Sequence, residues 1–151
     1  MDLATDRFTI GVFKDVASAE KGIEALVRHH FSLSSLSLIT IASPEADGLV
    51  QRVFGGRPSI GEVKNVGQAV LQGPLIAALN AGENGLATLG LAASARHAGF
   101  QPHDGVIFER LVARGGVLVG VSSEGRASDA LATLHAYGGG NAAIGTWAGR
   151  V

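Results

Sequence analysis

The sequence predicts an α+β domain built on one four-stranded sheet. Three observations support this prediction: β-rich apolar segments near both ends of the chain, amphipathic helical segments between them, and a long middle stretch rich in Gly and Ala. The chain of 151 residues has the length of one ordinary domain. Because 46% of the residues are hydrophobic, we expect a packed core rather than a disordered chain.

The start of the chain predicts a strand, a helix and a second strand. Residues 8–13, FTIGVF, are mostly apolar and rich in β-formers. A helix over 17–30 follows, because its apolar residues recur at the spacing of one helical face. Residues 36–41, LSLITI, alternate apolar and polar side chains, which is typical of a strand with one buried face. These elements form a first βαβ half over 8–42.

The last third of the chain repeats these helix and strand signals. Residues 104–114 place apolar side chains on one helical face and end at two glycines. The apolar segment 117–121, VLVGV, predicts a strand, and 126–137 predicts another helix. Residues 142–147 are the last strand candidate. These elements form a second, αβαβ half over 104–151.

The two halves give the order of a split βαβ (ferredoxin-like) fold, with two helices on one face of the sheet. An insert over 43–103 separates the second and third strands. Its first part, 45–66, carries charges and turn residues, so we expect a short helix and loops. Its second part, 67–99, is Gly/Ala-rich and predicts a tightly packed helical hairpin. We expect a single domain over 1–151, in which the insert or a second copy of the chain covers the open sheet face.

Four segments of the sequence resemble a known bacterial family. They are TIGVFKDVASAEKGIEAL, LSLITI, GPLIAAL at 73–79 and FERLVARGGVLVGV at 108–121, and the strongest single element is E-x-x-x-x-x-G-G-x-L-V from Glu109 to Val119. The chain resembles, from about residue 8 to its end, the general-stress or heat-induced stress proteins that carry a glycine-zipper insert between two ferredoxin-like halves. The resemblance implies a cytoplasmic, stress-associated protein with no established enzymatic role and no catalytic residues to carry over.

Charge and composition narrow the classes of partner. The formal net charge is −1 with no run of Lys or Arg, so nothing indicates nucleic-acid binding. The chain has no Cys, which excludes disulfides and thiolate chemistry. Its start lacks the features of a signal peptide, so we expect a cytoplasmic location. Residues 65–82 carry no charge, yet their Gln, Asn and Pro residues and their shortness argue against stable membrane insertion.

The sequence indicates no catalytic centre, no cofactor and no metal site. His29 and His30 lie at a predicted helix end, where an imidazolium interacts favourably with the helix dipole. His97, His103 and Asp104 could approach one another across a short loop, although their spacing matches no recognised metal motif. No G-x-S-x-G elbow is present. The serines at 32, 34, 35 and 37 are interpreted as the solvent face of the second strand and its approach.

Two glycine-rich segments and one arginine pair are weak candidates for holding a phosphate. The segments 138–141, GGGN, and 55–57, GGR, could expose backbone N–H groups to an anion, but neither fits a recognised phosphate loop. Arg110 and Arg114 lie on one helical edge, where they form either a phosphate contact or a solvated face.

Two functional hypotheses follow. The first is a non-enzymatic, stress-associated interaction or assembly protein whose only indicated partner is itself, as a dimer or higher oligomer. Its interface would consist of apolar insert residues: Val70, Leu71, Leu75, Ile76, Leu79, Leu86 and Leu89. The alternative is a ligand-sensing regulatory protein that binds a nucleotide or small anion at a cleft between subunits.

Overall fold

The computed structural model describes residues 8–122 and 125–145. The strands are β1 (Phe8–Phe13), β2 (Leu36–Ile41), β3 (Ile60–Val63), β4 (Gly67–Gln72), β5 (Val117–Ser122) and β6 (Gly140–Ile144). The helices are α1 (Val16–Arg28), α2 (Pro44–Leu49), α3 (Leu75–Asn80), α4 (Gly85–Thr88), α5 (Leu91–Ser94), α6 (Pro102–Ala113) and α7 (Ala127–Ala136). A π-helical segment follows α2 at Val50–Phe54, and 3₁₀ turns lie at Leu33–Ser35 and Ala95–Ala98.

The strands form one antiparallel sheet of six strands, in the order β3-β4-β2-β5-β1-β6. The expected four-stranded ferredoxin-like sheet is therefore wrong in its strand number. The four strands that the sequence predicted do lie side by side, and β1 pairs with β5 along its whole length. The two additional strands form a hairpin, β3-β4, that extends the sheet beyond β2.

The helical connections explain the strand order. Both β1 and β2 are antiparallel to β5, so they run parallel to each other and are joined through α1. In the same way β5 and β6 run parallel on either side of β1 and are joined through α7. The last strand begins at Gly140, and residues 146–147 of its predicted range lie outside the described residues.

Helices cover both faces of the sheet. On one face α1, α7, α2 and the π-helical segment bury an apolar cluster that includes Phe13 and Leu38. On the other face α3 to α6 bury a second cluster that includes Ile10 and Phe108. The insert thus covers the face that the sequence left open. It also corrects the expectation for β2, because the side of this strand that carries Ser37 is buried as well.

The second part of the insert is not a helical hairpin. Residues 67–72 form β4, and α3, α4 and α5 contain only six, four and four residues. Glycines with positive φ separate these pieces, among them Gly73 (φ +97°) and Gly90 (φ +94°), and a right-handed helix cannot pass through that conformation. In the described part of the chain, no helix is both long and apolar enough to cross a membrane.

The short insert helices donate N-terminal N–H hydrogen bonds to side-chain oxygens that lie outside each helix. The Leu75 N–H at the start of α3 donates to Ser37 Oγ of β2 at 2.9 Å. The Leu86 N–H in α4 donates to the Asn80 side-chain oxygen at 2.9 Å. The Ala92 N–H in α5 donates to Glu109 Oε1 of α6 at 3.1 Å. These bonds satisfy donors that a helix cannot satisfy by itself, and they tie the insert to the sheet and to α6.

Candidate anion-binding groove

A polar groove of about 470 Å³ opens at the edge of the sheet where β2 begins and β5 ends. Its walls come from the α1–β2 connection, the segment before α3 and the start of α7. The lining residues are His30, Phe31, Ser32, Ser34, Ser35, Pro74, Ser122 and Arg126.

The first wall is set by the way in which α1 ends. The His30 N–H donates to the Val27 carbonyl and the Phe31 N–H to the Leu26 carbonyl, both at 3.0 Å, which is the Schellman pattern. Phe31 and Leu26 are buried in the same cluster and fix this end of the helix. His30 has φ +70°, a left-handed conformation in which glycine is the favoured residue. The exposed imidazole of His30 therefore lines the groove at a position where any residue other than glycine lowers the stability of the folded chain.

The second wall carries Arg126, which directly precedes α7 and is held by contacts to residues far away in sequence. Its Nη2 donates to the His29 carbonyl at 2.9 Å, and its guanidinium lies 4.0 Å from the centroid of the Phe31 ring. Its Nε lies 3.5 Å from an Asp129 carboxylate oxygen. These contacts fix the guanidinium, while 41% of the side chain stays exposed.

Serine hydroxyls complete the groove. Ser35 Oγ donates to the Ser32 carbonyl at 2.6 Å, and the hydroxyl oxygens of Ser32 and Ser34 lie 3.2 Å apart. These three residues belong to the α1–β2 connection and its 3₁₀ turn, which lead into β2, and Ser32 and Ser34 are exposed. Ser37, by contrast, is buried in β2. Hydroxyls, an imidazole and a guanidinium are all hydrogen-bond donors, so the groove has the chemistry to hold an anion.

The other candidate residues are not gathered into a site. His97 Nδ1 donates to the Leu79 carbonyl at 2.7 Å, whereas His103 Nε2 contacts Asp104 at 3.3 Å on the surface. In residues 8–122 and 125–145, no three His, Asp or Glu side chains come together as a metal site. Arg110 and Arg114 are exposed on and just after α6 and do not line the groove.

The two glycine-rich segments have structural explanations. Gly138 follows α7 with φ +95°, and Gly55 follows the π-helical segment with φ +73°, so each one ends a helix. The strongest family-like run also has a structural role. Within it, Glu109 accepts the hydrogen bond from α5, and the Gly116 N–H donates to the Leu111 carbonyl where α6 turns into β5.

The predicted oligomer interface is mostly internal to one chain. Val70, Leu75, Leu79 and Leu86 are all at most 1% exposed. Leu71 and Ile76 are half-buried and pack against the apolar cluster that contains Leu75 and Leu79. Of the seven predicted residues, Leu89 alone is exposed, at 45%. The insert folds onto its own sheet, so the apolar surface that suggested a second copy is already covered.

No protein-family model, curated protein or solved structure matches the chain. The resemblance to general-stress proteins therefore stays a prediction that depends on the quoted motifs alone.

Proposed function

We propose that the chain is a binding protein for a small phosphate-bearing anion, which it holds in the polar groove between the end of α1 and the start of α7. The observation that carries this proposal is Arg126. Its guanidinium is fixed by the Phe31 ring and the His29 carbonyl, and it shares the groove with serine hydroxyls. A guanidinium suits phosphate because its planar set of donors matches the oxygens, and a pre-fixed one loses little freedom on binding.

Two further features support an anion as the ligand. Arg126 is also the N-cap residue of α7, and its side chain makes no capping hydrogen bond there, while this end of a helix favours negative charge. His30 holds its imidazole at the groove in a backbone conformation that costs about 1 kcal/mol for a residue other than glycine. A role in binding explains why a side chain stands there.

The groove favours binding over nucleophilic catalysis. A catalytic serine needs a base within hydrogen-bond reach. Among the described residues, no groove serine hydrogen-bonds to a histidine; the hydroxyls of Ser32 and Ser34 contact each other, and that of Ser35 donates to a backbone carbonyl. The proposal takes up the ligand-sensing alternative in a changed form, because the groove lies within one chain.

The proposal is tested by calorimetric titration of the full chain with inorganic phosphate, AMP and ATP. We expect saturable binding of at least one of these probes, and a loss of about tenfold or more in affinity for Arg126→Gln. Arg126→Lys keeps the charge but not the planar donors, so its anion affinity is expected to lie between those of the wild type and of Arg126→Gln. Arg110→Gln is the matched control, because that arginine is exposed on α6 outside the groove.

His30→Gly separates binding from folding. Glycine relieves the left-handed strain, so we expect the variant to unfold at higher urea concentration, with a gain of about 0.5–1 kcal/mol, while its anion affinity falls. Weaker binding in a more stable protein cannot result from unfolding. Absence of binding by all three probes at millimolar concentration, or binding that Arg110→Gln removes and Arg126→Gln does not, would overturn the proposal.

A further inference from the structure

A second groove, of about 510 Å³, lies between α1 and the π-helical segment, and it differs from the first in being apolar. Its floor is formed by the buried Ile23 of α1. The lining residues are Glu20, Ile23, Glu24, Val27, Arg28, Leu33, Arg52 and Val53. It is separate from the anion-binding groove, whose serines lie on either side of Leu33 in the sequence.

This groove gathers exposed apolar surface that is otherwise scattered. Val27 is 43% exposed and Leu33 is 36% exposed, and both line it together with the half-buried Val53. The other large hydrophobic residues that are exposed in the described ranges are Ile60, Leu89, Val106 and Tyr137. Single exposed apolar residues are ordinary on a protein surface, whereas Val27 and Leu33 lie together on one concave site, where a single partner would bury both.

One wall of the groove is formed by an ion pair between α1 and the π-helical segment. Arg52 projects from the π-helical segment and binds Glu20 of α1 through two hydrogen bonds, Nε to Oε2 at 3.0 Å and Nη2 to Oε1 at 2.7 Å. Hydrogen bonding from this guanidinium lowers the pKa of the Glu20 carboxyl below its ordinary value, so both groups are charged at neutral pH. A π-helical segment is rare and is often found at functional sites. The wall therefore exists before any partner arrives.

The charged residues beside the groove have an arrangement that is complementary to the same arrangement in a second copy of the chain. Glu24 and Arg28 are exposed, carry opposite charges and lie one helical turn apart on either side of Val27. If two copies of α1 pack antiparallel about a twofold axis, Glu24 of each copy faces Arg28 of the other. Arg28 also donates to the Tyr137 hydroxyl at 3.3 Å, a long surface hydrogen bond that does not prevent this pairing.

We propose that a second copy of this chain occupies the apolar groove, with α1 packed antiparallel on α1 and Val27 of each copy inserted against Leu33 and Val53 of the other. The proposed interface replaces the one expected in the insert, whose side chains are buried in the chain's own core. It uses none of the residues that line the anion-binding groove, so each proposal stands or falls without the other.

Sedimentation velocity over a range of protein concentrations tests this pairing. We expect a monomer–dimer equilibrium whose dissociation constant rises about tenfold or more in Val27→Glu, because the charge would enter the apolar centre of the contact. Val27 is exposed in the single chain, so the variant should remain folded, as checked by its urea midpoint. Leu89→Glu is the matched control, since Leu89 has similar exposure on the insert.

A charge exchange tests the twofold geometry. Glu24→Arg alone and Arg28→Glu alone each place like charges opposite one another, so each should weaken the dimer. The double variant restores opposite charges and should recover most of the wild-type association. A wild-type monomer throughout the concentration range, which would leave the groove to some other occupant, would overturn the proposal. So would a dimer that Leu89→Glu disrupts and Val27→Glu does not, or single charge variants that the double variant fails to rescue.

Discussion

The two helical layers that cover the sheet are built in different ways. The first layer contains α1 and α7, which have 13 and 10 residues, together with the six-residue α2, and both α1 and α2 begin at an adjacent capping residue, Asp15 and Ser43. The second layer contains three helices of six residues or fewer, together with the longer α6. Each of those three short helices donates an N–H hydrogen bond to a side-chain oxygen outside it.

The difference shows how much each layer depends on the rest of the molecule. An isolated helix of fewer than about 12 residues is marginal in water, so the short helices exist because the sheet and α6 hold them in place. α1 has its signals within its own sequence, namely an apolar stripe and a cap at each end. We therefore expect substitutions in the second layer to act through the core and through long-range contacts.

The largest effect is expected for the core of the second layer. Leu79→Ala should lower the free energy of unfolding by about 2–5 kcal/mol, because it opens a cavity at a fully buried position. Leu89→Ala, in the same insert but exposed, should change it by no more than about 0.5 kcal/mol. Urea unfolding measures both. For the same reason Leu75→Asp and Leu79→Asp should unfold the chain, because each would bury an unpaired charge. Equal small effects of the two alanine variants would show that the insert is not part of the core.

A substitution at the joint between β4 and α3 should have the next largest effect. Gly73 has φ +97°, and an added Cβ would collide with the backbone of Leu36 and Ser37. Gly73→Ala should therefore cost at least about 2 kcal/mol of unfolding free energy. Gly82→Ala is the control, because Gly82 also has positive φ but has open space around it. It should cost about 1 kcal/mol, from backbone strain alone. If both variants lose the same amount, the close approach of Gly73 to β2 is not a constraint.

The long-range cap of α3 can be compared with a local cap in the first layer. Ser37→Ala removes the buried acceptor for the Leu75 N–H and should cost about 1–2 kcal/mol. Ser43→Ala removes the acceptor for the Ala46 N–H in α2 and should cost about 1 kcal/mol. Amide hydrogen exchange should become faster over 75–80 in the first variant and over 44–49 in the second. Exchange that increases evenly along the whole chain in both variants would contradict this local assignment.

The smallest effect concerns the pH dependence of the first layer. A hydrogen bond from the Ser18 backbone N–H lowers the pKa of the Asp15 carboxyl below its ordinary value of 3.8. The carboxylate therefore stabilises the folded chain above pH 3.8, and this contribution is lost as the pH falls through the lower pKa of the folded state. Asp15→Asn keeps a capping side chain but removes the titrating carboxyl. This variant should therefore flatten the acid limb of a plot of urea midpoint against pH. An unchanged acid limb would mean that other carboxyls dominate.

The parts of the fold that could be predicted are those with local signals. The strand ranges 8–13 and 36–41 coincide with β1 and β2, and 117–121 differs from β5 by one residue. The β3-β4 hairpin was missed because its second strand lies in the charge-free run at 65–82, which was grouped with the helical insert. A turn signal was present in Asn65 and Gly67, which have φ +71° and +109°.

The candidate groove was harder to predict than the fold. His30 and the serines were noted, but Arg126 was not, since the two sides of the groove meet only when β2 and β5 become neighbours in the sheet. The hydrogen bond from Arg126 to the His29 carbonyl joins residues 97 positions apart. No local pattern in a single sequence indicates that contact. The insert residues were misassigned for a related reason, because apolar composition does not reveal which surface covers them.

The outermost strand of the hairpin affects how the protein behaves when it is concentrated. A free sheet edge can recruit strands from other molecules and start fibrils. At this edge β3 has only four residues, one of them the charged Glu62, and the Lys64 N–H just beyond it is bonded to the Leu86 carbonyl at 2.8 Å. So short and charged an edge offers little for another strand to pair with. Polymerisation by strand addition is therefore disfavoured at this edge.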